Sequence, residues 1–164
     1  MIRKEMRGGT LNRLSAAAAV SLAGLLAGCT GNGSPPPLPG TAWRLSEIRD
    51  GTGAPVPVLP GTEVTAVFSA DGKVTGSAGC NRYFAWYTTD GERITVTGAG
   101  STKMFCGDPE GVMIQESRFL ELLTAATSYS IDGKTLTLQG NAGQPLLVFG
   151  EGVAVRETGS PPVP

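Results

Sequence analysis

Short runs of alternating apolar and polar residues, separated by Asp-Gly dipeptides, fill the middle of the chain. Asp-Gly accepts the positive φ angles of two-residue hairpin turns, so each dipeptide marks a predicted hairpin. The three dipeptides are Asp71-Gly72, Asp90-Gly91 and Asp132-Gly133. They predict hairpins that join 63–68 to 73–78, 81–88 to 93–97, and 128–131 to 135–138.

Two more strands are predicted at the ends of this region, over residues 41–48 and 146–149. Apolar residues at every second position indicate one buried face of each strand. This spacing is seen in Val64, Ala66 and Phe68, and again in Leu136 and Leu138. Residues 56–59 lie among prolines and are predicted to form a loop or an edge strand.

One segment, residues 109–125, has apolar residues at three- and four-residue spacing, which predicts a helix. Asp108 and Pro109 are residue types favoured at the N-cap and at the first helical position. The stripe of Phe119, Leu120 and Leu123 needs a sheet to cover it. The predicted fold class is therefore α+β and mostly antiparallel β: a small, partly open barrel or curved sheet with one packed helix, over residues 41–150.

The first 28 residues have the pattern of a secretory signal peptide, with a basic start and an apolar run over residues 14–27. Leu26-Ala27-Gly28-Cys29 resembles the bacterial lipobox, in which the cysteine is lipidated. The run is short for a membrane span, which needs about 20 residues. We expect a lipoprotein that begins at Cys29. An uncleaved anchor helix and an ordinary signal for soluble secretion are the alternatives.

The segments on either side of the predicted domain differ from it in composition. Residues 29–40 are rich in Gly, Ser and Pro and are predicted to form a tether, and residues 151–164 a disordered tail. The expected location is extracytoplasmic, with the lipid anchor in a membrane. Thr30 after the cysteine favours the outer membrane if the cell has two membranes.

Charge and composition exclude several classes of function. Without residues 1–28, the chain has 9 basic and 13 acidic residues, which gives a net charge of −4. Nucleic-acid binding needs clustered Lys and Arg, so we expect no nucleic-acid partner. The chain has no histidine, the commonest general base and metal ligand. We expect no metal, no cofactor and a monomeric protein.

Motifs for catalysis are weak. Residues 98–103 (GAGSTK) lack the Gly-Lys-Ser/Thr order of a phosphate loop. A Ser–Lys pair such as Ser101 and Lys103 has the character of an ordinary strand surface. Paired carboxylates, for example Glu63 and Glu116, would have to come from separate elements. We predict no catalytic residue.

Two cysteines remain once Cys29 is lipidated. Outside the cytoplasm, Cys80 and Cys106 are expected to pair in a disulfide. Reduced core cysteines and a two-cysteine metal site are the alternatives.

The stretch 76–83 (GSAGCNRY) predicts a tight bend or bulge, since glycines surround its cysteine. Phe84, Trp86 and Tyr87 follow, and neighbours on a strand point to opposite faces, so we expect at least one exposed ring. An exposed ring suits contact with a partner. The candidate binding surface is Asn81, Arg82 and Trp86, with core packing as the alternative for the rings.

Three motifs in this order resemble the META domain family, also called HslJ-like, over about residues 41–150. They are Gly-Cys-Asn at 79–81, Thr-Lys-Met-x-Cys at 102–106 and Glu-x-x-Phe-Leu at 116–120. Phe105 and the pair Ala85-Trp86 depart from the family pattern. The resemblance implies a β-rich domain with a helix, often lipid-anchored or secreted in bacteria, and it strengthens the pairing of Cys80 with Cys106.

The predicted function is a non-catalytic, lipid-anchored domain of the cell envelope that binds a protein or another envelope component. The resemblance implies no established catalytic activity, and a stress-related role through links to heat shock and antibiotic tolerance. A β-barrel lipoprotein that holds a small apolar ligand in its mouth is the first alternative. A carboxylate-based hydrolase is the second.

Overall fold

The computed structural model describes residues 37–50 and 52–152. The signal sequence, Cys29, most of the tether and nearly all of the tail lie outside the described residues, so these assignments stay predictions. The described part contains one helix and nine strands. In chain order they are β1 Ala42–Arg49, β2 Pro55–Pro57, β3 Thr65–Phe68, β4 Lys73–Ser77, β5 Arg82–Asp90, β6 Arg93–Ser101, α1 Val112–Ala125, β7 Ser128–Asp132, β8 Thr135–Gln139 and β9 Pro145–Glu151.

The strands form one antiparallel sheet that closes on itself. From β3 to β9 each strand pairs with the next, while β1 pairs with β3 on one side and with β9 on the other. The join between β6 and β7 is narrow, with Arg93 opposite Ser128 as its one registered pair. Helix α1 contacts β6 and β9. The predicted curved sheet with one packed helix is confirmed.

The local strand predictions are confirmed as well. Each Asp-Gly dipeptide joins two paired strands, namely β3 to β4, β5 to β6 and β7 to β8. The proline-rich segment forms β2, an edge strand that pairs with β1. Prolines 55 and 57 lack the N–H that an added strand would use, which protects this edge.

Large side chains fill the inside of the ring. Trp43, Phe68, Phe119 and Phe149 are fully buried, and so are the alternating apolar residues predicted for β3 and β8. Phe119 of α1 makes edge-to-face contacts with Tyr83 and Phe149, at centroid distances of 5.2 and 6.5 Å. Such contacts add to the stabilisation from buried area. A ligand inside the ring would have to displace these side chains.

The predicted start of the helix is wrong. Helix α1 begins at Val112, with Gly111 at the N-cap in a left-handed conformation (φ 87°). The carbonyl of Gly111 accepts a hydrogen bond from the amide of Gln115 (2.9 Å), which closes the first helical turn. Asp108 and Pro109 therefore precede the helix instead of capping it.

The end of the predicted tether packs against the domain. Leu38 is buried among the core residues, and Pro39 forms an isolated bridge with Phe68. An apolar side chain in a Gly/Pro segment therefore moves the start of the folded part a few residues ahead of position 41.

Strands β3 and β4 approach closely at Gly76. A Cβ atom at this position would lie 2.0 Å from the carbonyl oxygen of Thr65, so the backbone itself would have to shift. We expect Gly76→Ala to lower the free energy of unfolding by about 1–3 kcal/mol, as overpacking does. Gly150→Ala on β9 is the matched control, because its Cβ would enter open space. Urea denaturation of both variants should give clearly different midpoints, and equal midpoints would contradict the close approach.

Candidate binding face

Strand β5 separates two kinds of side chain. Tyr83, Ala85 and Tyr87 point into the core and are buried. Phe84 and Trp86 point outward and are 52% and 48% exposed, beside the exposed Arg82. We call the outward side chains of β5 at 82, 84 and 86, with their neighbours on β4 and β6, the aromatic face. The sequence predicted Arg82 and Trp86 as surface residues, and the structure places both on this face.

Two glycines of β6 lie beneath the rings. Phe84 is opposite Gly100, and a Cβ atom on Gly100 would lie 3.0 Å from the Phe84 ring. A Cβ atom on Gly98 would lie 3.4 Å from Cδ1 of Trp86. Each ring therefore has one part against the β6 backbone and another part open to solvent. In the sequence, these two glycines are visible as Gly-Ala-Gly at residues 98–100, a stretch that we had compared only with a phosphate loop.

Cations and hydroxyl groups surround the rings. Nζ of Lys73 lies 4.9 Å from the centroid of the Trp86 ring, within the range of a cation–π contact, and 4.0 Å from a carboxylate oxygen of Asp71. Within residues 37–50 and 52–152, Arg82 makes no ion pair. Thr75 and Thr97 are the exposed cross-strand neighbours of Phe84 and Trp86. The face can thus offer stacking, hydrogen bonds and positive charge together.

The buried side of β5 is tied to β3. The hydroxyl of Tyr83 donates to the carbonyl of Thr65 (2.9 Å), and that of Tyr87 donates to a carbonyl just after β3, at Ser69 (2.9 Å). Burial raises the pKa of both phenols above the ordinary value of 10.0, so both donate over the physiological pH range. These bonds fix the strand whose other side carries the aromatic face.

The sequence predicts Asn81 on the candidate binding surface, but the structure buries this residue. Asn81 is 1% exposed, and Glu116 of α1 accepts one hydrogen bond from its backbone and one from its side chain. The Asn81 backbone N–H donates to Oε2 (2.8 Å), and Nδ2 donates to Oε1 (2.9 Å). Glu116 is itself buried, so the pair joins α1 to the start of β5. We call this pair the Asn81–Glu116 cluster.

The loop of residues 102–107 is held by the same asparagine. Oδ1 of Asn81 accepts hydrogen bonds from the Thr102 hydroxyl (2.7 Å) and the Met104 amide (2.8 Å), and Nδ2 also donates to the Met104 carbonyl (3.1 Å). Cys80 and Cys106 form the predicted disulfide, with Cα atoms 6.0 Å apart. The loop carries the most exposed large apolar side chain of the described residues, Phe105 at 85%.

A second surface feature is an apolar groove of about 270 Å³ between β2 and α1. Val56, Leu59 and the exposed Ile114 line it, with Arg49 and Arg118 at its margin. Both arginines already contact acids, Glu47 at 2.9 Å and Glu121 at 3.0 Å. The groove therefore has little free charge with which to orient a ligand.

The acidic side chains considered for metal binding or acid–base chemistry lie apart in the structure. Among the residues that the structure describes, no three His, Cys, Asp or Glu side chains cluster as metal ligands do. Glu116 is bonded to Asn81, whereas Glu63 lies 3.9 Å from Arg44 on the exposed surface. The described part of the chain also contains no helix with the length and apolar character of a membrane span.

Known proteins resemble this chain over the same region. The META domain family model matches residues 36–152. An NMR structure of a protein from Burkholderia xenovorans is similar with a TM-score of 0.59 and 24% identity, covering 87% of this chain and 99% of that one. Another NMR structure has a TM-score of 0.51 and 20% identity, covering 68% of this chain and 88% of that one. No curated protein matches. At these identities the two structures show the fold alone.

Proposed function

The chain belongs to the META domain family, which is not a known enzyme family, and on that basis we propose that it is a non-catalytic binding domain of the cell envelope. The aromatic face is the binding surface. Two adjacent half-exposed rings carry this proposal, together with Arg82, which makes no ion pair with any described residue. Scattered apolar residues are ordinary on a surface, but Trp and Arg side by side are typical of contact sites.

We further propose that a lipid on Cys29 anchors the domain to a membrane outside the cytoplasm, in a stress-related role. The Leu-Ala-Gly-Cys motif supports the anchor. The Cys80–Cys106 disulfide supports the location, since disulfides persist in oxidising compartments. An anchor of this kind keeps the aromatic face close to envelope components.

Sedimentation with envelope material tests the proposal. The native lipoprotein is mixed, in a detergent that keeps its anchor in solution, with the detergent-insoluble fraction of the producing cells. We expect saturable co-sedimentation that weakens at least tenfold in Trp86→Ala, equivalent to about 1.4 kcal/mol or more, because the ring supplies much of the apolar contact. Ile114→Ala is the matched control: it removes an exposed apolar side chain from α1.

Each variant points to a different surface. Full binding by Trp86→Ala would overturn the aromatic face as the site. Loss of binding in Ile114→Ala alone would move the site to the groove between β2 and α1.

A further inference from the structure

We infer that the ligand of the aromatic face is a glycan that carries carboxylate groups, an inference that rests on the proposed binding function of this face. Four features support it: the exposure of the two rings, the spacing of their residues, the neighbouring hydroxyl groups and the local charge.

Both rings are half exposed and lie against glycines of β6. Gly98 and Gly100 let Trp86 and Phe84 approach the β6 backbone, and about half of each side chain stays open. The π-face of an aromatic ring is electron-rich and attracts the weakly positive C–H groups on one side of a sugar ring. The hot spots of protein–protein interfaces also use Trp and Arg, but they concentrate in well-packed, desolvated pockets. A pair of half-exposed rings on a sheet face therefore favours a glycan over a protein anchor.

The spacing and the hydroxyl groups fit a chain of sugars. Phe84 and Trp86 are two residues apart on one strand, so their Cα atoms are about 6.8 Å apart along it. That separation is comparable to the length of one sugar unit, so neighbouring units can stack on neighbouring rings. The exposed Thr75 and Thr97 lie directly across from these rings. A threonine hydroxyl both donates and accepts hydrogen bonds, as sugar hydroxyls require.

The charge of the face adds the carboxylate. The whole chain has a net charge of −1, yet the face has Arg82 at one end and Lys73 above Trp86, although Lys73 also contacts Asp71 at 4.0 Å. Arg82, which has no ion-pair partner in the described part of the chain, offers a fork of N–H groups that matches a carboxylate. Two cations are too few for a polyphosphate backbone, whose binding grows with the number of charges neutralised. A carboxylated sugar chain meets both the rings and the cations.

Tryptophan fluorescence of the full protein reports on this face. The chain has two tryptophans, of which Trp43 is fully buried and Trp86 is half exposed, so a ligand changes the emission of Trp86. The probes are hexagalacturonate (sugar with carboxylate), maltohexaose (sugar alone) and hexaglutamate (carboxylate alone). We expect hexagalacturonate to bind at least tenfold more tightly than the other two. Phe84→Ala and Arg82→Gln should each weaken its binding about tenfold, whereas Arg118→Gln on α1 should leave it unchanged.

The alternative outcomes are distinct. Equal binding of hexaglutamate would overturn the glycan and indicate an acidic peptide, and equal binding of maltohexaose would overturn the requirement for a carboxylate. If no probe binds while envelope sedimentation still depends on Trp86, the glycan inference fails and the proposed function stands. If sedimentation is independent of Trp86 as well, both fail.

Discussion

Glu116→Ala is expected to lower the free energy of unfolding by about 3–5 kcal/mol. The substitution removes both acceptors of the Asn81–Glu116 cluster, so the Asn81 amide and one side-chain N–H remain buried without their partner. Hydrogen bonds to a charged group contribute about 1.5–3 kcal/mol each, and a buried donor that loses its acceptor keeps its full desolvation penalty. Urea denaturation followed by circular dichroism measures the change.

Two further variants separate the cluster from general effects of charge on α1. Glu121→Ala removes an exposed acid of the same helix, which pairs with Arg118, and should cost less than about 1 kcal/mol. Glu116→Gln keeps one acceptor oxygen but turns an N–H₂ group toward the Asn81 donors, so its loss should lie between the other two. A loss in Glu116→Ala no larger than that in Glu121→Ala would show that the cluster contributes little.

The cluster also connects stability to the candidate site. Asn81 directly precedes Arg82, the first residue of β5, and its side chain holds the loop that follows β6. The start of β5 and the end of β6 therefore both lie next to this asparagine. Glu116→Ala should therefore weaken envelope binding too, because it loosens the backbone that positions Arg82.

Phe84→Ala should weaken envelope binding while it changes the free energy of unfolding by less than about 1 kcal/mol, because the ring is half exposed.

Structural features that depend only on residues close together in the sequence could be predicted from it. Asp90-Gly91 sets a hairpin because its turn geometry is local, and the alternation of Val64, Ala66 and Phe68 needs only one buried face. The prediction of where α1 begins failed, also for a local reason. Asp108 and Pro109 are residue types common at the start of a helix, but Gly111 takes the left-handed conformation and its carbonyl accepts the first helical hydrogen bond.

The burial of Asn81 depends on distant residues. A polar side chain between glycine and arginine has the composition of a surface bend, and its partner Glu116 lies 35 residues further along the chain. One signal was available: Glu116 follows Val112 by four residues and precedes Phe119 by three, in the stripe that faces the core. A glutamate in an apolar stripe requires a buried hydrogen-bond donor, and in the folded chain the Gly-Cys-Asn bend supplies it. The sequence pattern does not reveal which donor it is.

Reduction of the Cys80–Cys106 disulfide should lower the free energy of unfolding by about 3.5 kcal/mol. The bond closes a separation of 26 residues, and the loss of its constraint on the unfolded chain gives this value on the chain-entropy estimate. Urea denaturation with and without dithiothreitol measures it. The double variant Cys80→Ser, Cys106→Ser should show a similar loss and no response to the reductant. A wild-type protein that is equally insensitive would contradict a closed bond.

The disulfide and the Asn81–Glu116 cluster hold the same loop, so their effects should depend on each other. In the reduced protein, Asn81 still bonds to Thr102 and Met104, and we expect the domain to stay folded. Cleavage by chymotrypsin after the exposed Phe105 should nevertheless become faster, because the covalent attachment of the loop is gone. When Glu116→Ala is combined with reduction of the disulfide, the loss in unfolding free energy should differ from the sum of the two separate losses by about 0.5–3 kcal/mol, as it does for coupled sites. Strict additivity would mean that the loop is fixed separately by each attachment.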